Sequence, residues 1–408
     1  MTPLEFEDCK GVVMHNVSGS QLRIAVASSG LGHVRRGIES WAQDLARALS
    51  RRGIAVGLFG GGDREPEVTV IPCLQRGGAP CARLTAVTRQ LSGWRYGMGS
   101  VYEVEQTSFA FGLWRRIGRE YDILHVQDPT LARILDRLNR ARLSRPRVIL
   151  ANGTAEAPAR MAGLRAVQEL SPQGAENWER AGVRGPMLFT IPNFIDLATF
   201  APGDRAAARQ QLGLPPDALI VLCCAAIRRY HKRIDYLLEE FAAFAARCGR
   251  EAMLVVAGGR EADTDELVGM GQRLLGERVR FLVGAPRATM PVLYRAADVF
   301  TLSSLFEAGS IALIEAIASG LPVICHDTPN FRFAAGPESH YADLQPRGGL
   351  AGALLTLADP ARREALGRAA RLYTEQTFSE DVVMAKIQEM YASVAAARGR
   401  VRSPVSRA

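Results

Sequence analysis

Two glutamates eight residues apart, Glu307 and Glu315, stand in a stretch whose order suggests chemistry: VFTLSSLFEAGSIALIEAIASGLPVICHD, residues 299–327. Apolar runs at 299–303 and 322–326 have strand length, and residues 310–319 are helical in composition up to the stop signal Gly320-Leu321-Pro322. Ile311, Leu313, Ile314, Ala316 and Ile317 make that helix apolar nearly all round, which marks a buried helix. Glu315 is its one carboxylate, and a charge buried there needs a dedicated partner or ligand. Glu307 sits in the loop that feeds the helix. Eight residues of helix span about 12 Å, roughly the length of a sugar-diphosphate-nucleoside core. Between the carboxylates lie a loop of small residues, Ala308-Gly309-Ser310, and the free N–H groups of a helix start, a ready anion site. The plainer alternative makes Glu307 a solvated loop residue and Glu315 the partner of an arginine.

Strand and helix patterns alternate along the chain, as parallel α/β layers require. A strand at 219–225 leads into Ile227-Arg228-Arg229-Tyr230-His231-Lys232-Arg233 and a helix from 234 to about 248. Cations between a strand and a helix start are suited to phosphate, which points to Arg228, Arg229 and Lys232. In the first half, a strand at 22–28 is followed by Gly30, Gly32, His33, Arg35, Arg36 and Gly37, then a helix at 38–51. Gly30-x-Gly32 invites a dinucleotide-binding reading, but Arg35 stands at the third glycine position of that fingerprint. The alternatives are an ordinary tight turn, or a phosphate or acceptor loop rimmed by His33, Arg35 and Arg36. His125, at the end of an expected strand 122–126, stands where ligands bind in open α/β sheets. Asp263-Thr264-Asp265 has the look of a metal-binding pair, yet it opens a helix at 266–275, where acidic residues serve capping and the helix dipole. The six histidines lack metal-ligand spacing, so no metal is expected. No elements can be placed in residues 75–111, which are rich in Gly and Arg.

The stretch from Glu307 to Val323 closely resembles the Glu-x7-Glu signature of retaining GT-B glycosyltransferases of family 4, continued by Glu315-Ala316-Ile317-Ala318-Ser319-Gly320-Leu321-Pro322-Val323. It departs from the family's Glu-Gly-Phe-Gly loop with Glu307-Ala308-Gly309-Ser310. Further landmarks are Arg36-Gly37-Ile38-Glu39, Tyr121 to Asp128 around His125, Ile191-Pro192-Asn193-Phe194-Ile195-Asp196, Lys232, and the closing Thr377-Phe378-Ser379. The resemblance spans residues 22–392. It implies an α/β fold of two Rossmann-like domains facing across a donor cleft, with a final helix crossing back to the first. The expected boundaries are 1–197, 198–378, 379–397 for the helix, and a basic tail at 398–408. It implies Glu307, His125, Lys232 and Arg228 at the reacting centre and Glu315 on the ribose hydroxyls. Gly309, Ser310, Ile311, Arg229 and Gly32 complete the donor site, and His33, Arg36 and Gly37 lie on the acceptor side. The nucleotide-diphosphate sugar is a co-substrate and no cofactor is expected. The acceptor is a hydroxyl on a glycan, lipid or small molecule. Two rivals remain open: an NAD-dependent oxidoreductase built on Gly30-x-Gly32, and a non-catalytic nucleotide-sugar-binding protein.

Composition bounds the reading. A chain of 408 residues, 48% hydrophobic and 23% charged, is expected to form two globular domains. It carries no apolar run of spanning length and no signal-peptide pattern near Met1. Seven cysteines without Cys-x-x-Cys suit reduced thiols, so a cytoplasmic location is expected. Net charge is +8, and residues 1–200, with 25 Lys and Arg against 19 Asp and Glu, hold +6 of it. Such a field suits an anionic ligand or membrane surface. Nucleic acid is disfavoured, since no motif interleaves aromatic and basic residues. The tail from 398, with four arginines and no acid, is expected to be disordered, with weak membrane contact as a further expectation.

Overall fold

The computed structural model describes residues 21–34, 36–140 and 146–397, with the backbone alone at 94. Arg35 and the tail at 398–408 therefore lie outside the described residues.

Two parallel sheets organise the chain. The first contains β1 (Arg23–Ser28), β2 (Ala55–Gly60), β3 (Val68–Val70), β4 (Ile123–Val126), β5 (Arg147–Ala151), β6 (Ala166–Glu169) and β7 (Met187–Thr190), in the order β3-β2-β1-β4-β5-β6-β7. The second contains β8 (Leu219–Cys224), β9 (Ala252–Gly258), β10 (Val279–Val283), β11 (Val299–Thr301), β12 (Val323–His326) and β13 (His340–Ala342), in the order β10-β9-β8-β11-β12-β13. The central strands β1, β4, β5 and β8 are buried on both faces, which is why they read as near-continuous apolar runs. Strand order reverses between β1 and β4 and again between β8 and β11. Ligands bind at such switch points, beyond the strands' carboxyl ends.

The register of β1 with β4 pairs Val26 with His125, so these two residues lie on one face of the sheet. That face is covered by α1 (Gly37–Arg51) and by the helix Glu380–Ala396, which crosses back from the second domain. Val383, Met384, Ile387, Met390 and Tyr391 of the crossing helix are buried in the same core as Trp41 and Leu45 of α1. Ile195 N–H donates to Phe378 O at 2.9 Å, and Ile195 bridges Ser379, tying the interdomain connection to the start of the crossing helix. Arg51 and Arg52 at the end of α1 pair with Glu380, and Arg52 also reaches Asp381 at 2.5 Å.

The stretch 75–111 is not irregular. It forms α2 (Ala79–Gln90), a 3-10 turn at Gly93–Tyr96 and most of α3 (Val101–Ile117). Two features conceal these helices from a pattern search. Inward-facing α2 positions are Cys81, Thr85 and Thr88, and the buried stripe of α3 includes Glu105 and Gln106. Ser100 caps α3 by accepting from Glu103 N–H at 3.2 Å.

Candidate functional site

Both switch points open into the crevice between the domains. On the second-domain side, Ser310 caps the helix Ile311–Ala318, its hydroxyl accepting from Leu313 N–H, and the helix runs inward to Glu315. Glu315 is 2% exposed. Arg287 Nη1 donates to its Oε1 at 2.5 Å and the Tyr294 hydroxyl donates to its Oε2 at 2.7 Å. Burial pushes its pKa up, against the pull of Arg287 and Tyr294. The partner that sequence logic demanded is thus an arginine. The same Arg287 donates through Nη2 to Asp44 of α1 at 2.9 Å, so one guanidinium joins the two domains.

Glu307 meets Lys232, whose ammonium donates to Oε1, while His231 Nε2 lies 3.5 Å from the same oxygen. Burial raises the Glu307 pKa, but His231 and Lys232 outweigh it and hold the carboxyl at about 2. His231 also stacks on Phe306 with ring centres 4.4 Å apart. Arg228 is half-buried and its Nε has no hydrogen-bond partner. Arg229 is turned elsewhere, donating to Asp235 at 3.2 Å and Glu266 at 2.6 Å. Two carboxylates therefore hold its guanidinium in the ligand-free protein. Asp263 accepts from Arg229 N–H and Asp265 pairs with Arg260, so the Asp-x-Asp carboxylates have protein partners.

Across the crevice, the carboxyl ends of β1 and β4 meet α1 and α3. Glu105, fully buried, accepts from Ser29 Oγ at 3.0 Å and from Arg76 at 2.6 Å, and lies 2.9 Å from His33 Nε2. Burial raises its pKa, yet the bonds from His33 and Arg76 bring it down to about 2. Glu39, in the first turn of α1, is driven the other way. Burial lifts it to about 7 although Arg76 lies 4.0 Å away. Arg36 pairs with Glu261 of the second domain and with the Tyr102 hydroxyl. Gly37 lies against Ile311, so α1 and the helix Ile311–Ala318 bring their N-termini together across the crevice. Asn193 Nδ2 donates to Gly309 O at 3.3 Å, a further bridge between the halves. Gly32 has φ +96°, and a side chain there would strike the backbone of Gly62 and Asp63. The loop that holds Gly32 is packed against Gly62 and Asp63.

His125 is placed differently from expectation. Its ring is fully buried between Trp41 and Tyr391, in edge contact with each, and its Nδ1 lies 2.8 Å from the Tyr391 hydroxyl. Burial drives its pKa down to about 3, so it is neutral. Two residues on, just past the strand end, Gln127 is 3% exposed and its Nε2 has no partner. His125 lies within β4, under the covering helices, whereas Gln127 lies past the end of the strand, at the carboxyl end of the sheet.

Part of the set of unpaired buried polar atoms gathers at the same places. Among the buried polar atoms without a partner, Ser28 Oγ, His33 Nδ1, Glu39 Oε2 and Gln127 Nε2 lie at the crevice end of the first sheet and Arg228 Nε and Ser304 Oγ at that of the second, while others, such as Trp114 Nε1, His125 Nε2 and Asp136 Oδ1, lie elsewhere. Buried polar groups are nearly always paired, so the unpaired atoms at the two facing switch points suit a polar ligand there. Sequence reasoning missed Arg287, Tyr294, Arg76, Glu105 and Gln127. For Gln127 a signal existed in its place one residue beyond an apolar strand.

The fold is GT-B. Sucrose-phosphate synthase from Thermosynechococcus elongatus superposes with a TM-score of 0.74 at 22% identity, covering 93% of this chain and all of that one. Alr3699/HepE of Anabaena, solved in complex with UDP and glucose, gives 0.67 at 16% identity over 91% of this chain and all of that one. Residues 204–371 match the family model for glycosyl transferases group 1. Among curated proteins, a D-inositol 3-phosphate glycosyltransferase of Actinosynnema mirum is 36% identical over 145 residues, 34% of each chain. The chain spans about a third of the length of the curated relatives at the head of that comparison. The group 1 match covers the segment that holds Lys232, Glu307, Glu315 and Arg287. The GT-B architecture also accounts for the crossing helix.

Proposed function

We propose that the protein is a retaining glycosyltransferase that moves a sugar from a nucleotide-diphosphate donor to a hydroxyl acceptor. The observation that carries this is the second-domain arrangement. Lys232 meets Glu307, a capped helix start follows three residues on, Glu315 lies within that helix, and Arg228, with an unpaired Nε, lies in the same basic loop as Lys232. The cations and amides suit a diphosphate, and the two carboxylates suit hydroxyl groups at either end of it. The group 1 match over the same residues supports the reading. Lys232, Arg228 and the helix amides would stabilise the leaving diphosphate, so catalysis rests on positioning and charge rather than on a bound metal. Gln127, Glu39 and the Glu105 cluster face this site from the acceptor half.

Thermal-shift screening against UDP, GDP, ADP and their sugars tests the donor, with UDP first because HepE was solved with it. Turnover with the stabilising donor in EDTA, followed by anomeric analysis of the product, tests the chemistry. The expected result is metal-independent transfer with retained anomeric configuration. Turnover that disappears in EDTA and returns with Mn²⁺ would overturn the scheme.

A further inference from the structure

Helix α2 is built inside out. Its inward positions are Cys81, Thr85 and Thr88, small side chains whose hydroxyls donate back to Cys81 O and Leu84 O. Its larger apolar residues face solvent: Leu84, Val87 at 56% and Leu91 at 71% exposed, spaced three and four apart along one side. Tyr96, on the 3-10 turn that follows, is 72% exposed. A surface helix that serves only its own core has the reverse arrangement. The sequence that carries this ridge has charge of one sign. From Val68 to Tyr102 the chain contains Arg76, Arg83, Arg89 and Arg95 and no acidic residue. Arg76 is drawn inward to Glu105, whereas Arg83, Arg89 and Arg95 are exposed. Apolar side chains at helical spacing, flanked by arginines and an aromatic ring, match an interfacial helix that lies on an anionic bilayer.

We propose that α2 and the turn Gly93–Tyr96 dock this protein on an anionic lipid surface. Leu84, Val87, Leu91 and Tyr96 enter the headgroup boundary and Arg83 and Arg89 meet lipid phosphates. The position makes this useful to the reaction proposed above. Arg76, three residues before α2, and Tyr102, in the first turn of α3, belong to the acceptor-side cluster, with Arg76 against the Tyr102 ring. Docking through α2 therefore holds the acceptor half of the crevice beside the membrane, and on that reading the acceptor hydroxyl is carried by a lipid. No helix among the described residues is long and apolar enough to cross a membrane, so the attachment is peripheral.

Flotation of the full chain with phosphatidylcholine vesicles, with and without phosphatidylglycerol, tests docking separately from catalysis. The protein should float with the anionic vesicles and stay behind with the neutral ones. Each arginine at an anionic surface is worth about fivefold in partition, so Arg83→Gln with Arg89→Gln should reduce binding by about 25-fold at low salt. Val87→Asp with Leu91→Asp should reduce it at least tenfold. Both variants should keep wild-type affinity for the donor nucleotide, which shows that the fold and donor site survive. Failure to float with anionic vesicles at low salt overturns the proposal. So does flotation unchanged in both variants. A self-association of the wild type that Val87→Asp with Leu91→Asp abolishes, without vesicle binding, would assign the ridge to a second copy of this chain and overturn it equally.

Discussion

Replacing Glu315 by glutamine removes the charge from a carboxylate held by both Arg287 and Tyr294. Deleting one partner of a buried ion pair ordinarily costs about 3–5 kcal/mol, because the other charge is left without compensation. Here two features reduce that cost. The Arg287 side chain is 32% exposed and keeps Asp44 at 2.9 Å. Gln retains an oxygen that can accept from the Tyr294 hydroxyl. The ionised carboxylate is also disfavoured by its own burial, as its raised pKa records. Removing the charge should therefore change the stability of the ligand-free protein by no more than about 1 kcal/mol, the scale of one neutral hydrogen bond. Nucleotide binding should respond far more. If the ribose diol displaces Arg287 and donates to the carboxylate, losing that charge costs about 1.5–3 kcal/mol, roughly 10- to 150-fold in affinity. Urea unfolding of the free protein and titration calorimetry with the nucleoside diphosphate measure the two quantities. A loss of about 3–5 kcal/mol in stability, with wild-type affinity in the folded fraction, would refute the ribose assignment and make Glu315 a structural anchor for Arg287.

Lys232→Ala should weaken the nucleoside diphosphate by about 10- to 150-fold and the nucleoside little, the size of one charge-assisted contact. Equal losses in parallel calorimetric titrations would make the lysine structural. The Glu307 carboxyl, lowered from 4.5 to about 2, binds its proton more weakly in the folded state than in the unfolded one. Its contribution, roughly 3 kcal/mol, is therefore complete above pH 4.5 and declines as pH falls towards 2. Acid unfolding curves should show this loss in the wild type and much less of it in Lys232→Met, and parallel curves would count against the assignment. His125→Phe should lower the melting temperature through the lost Tyr391 contact while nucleotide affinity stays unchanged. A fall in affinity at unchanged melting temperature would return His125 to the site.

The architecture was legible because both sheets are made of apolar runs separated by helices, and the signature from Glu307 to Val323 is local in sequence. Lys232 and Glu307 were each found from local context, and the structure brings them together. Arg287 was not legible: its ties run to Glu315 and, 243 residues away in sequence, to Asp44, and nothing in its own neighbourhood signals either. Strand β6, Ala-Val-Gln-Glu, was invisible because its polar half is buried, Gln168 donating to Ile191 O and Glu169 accepting from Trp178. Helices α2 and α3 were hidden because α2 faces its apolar residues outward and α3 buries a carboxylate inside its stripe. The packing of His125 was not legible, because its neighbours Trp41 and Tyr391 lie on α1 and on the crossing helix, far away in sequence.

The crossing helix has a consequence for biosynthesis. The first sheet is complete at Thr190, yet the face that carries His125 and Trp41 is closed by Glu380–Ala396. A ribosome adding about 5–20 residues per second needs another ~10–40 s to make that helix. For that interval the nascent first half exposes an apolar groove shaped for a segment not yet made, while the second domain emerges and folds beside it. A chain arrested before residue 380 should bind the dye ANS and a holdase chaperone, and a separately supplied peptide of residues 380–397 should suppress both. Maturation of the half translated first thus waits on the part translated last.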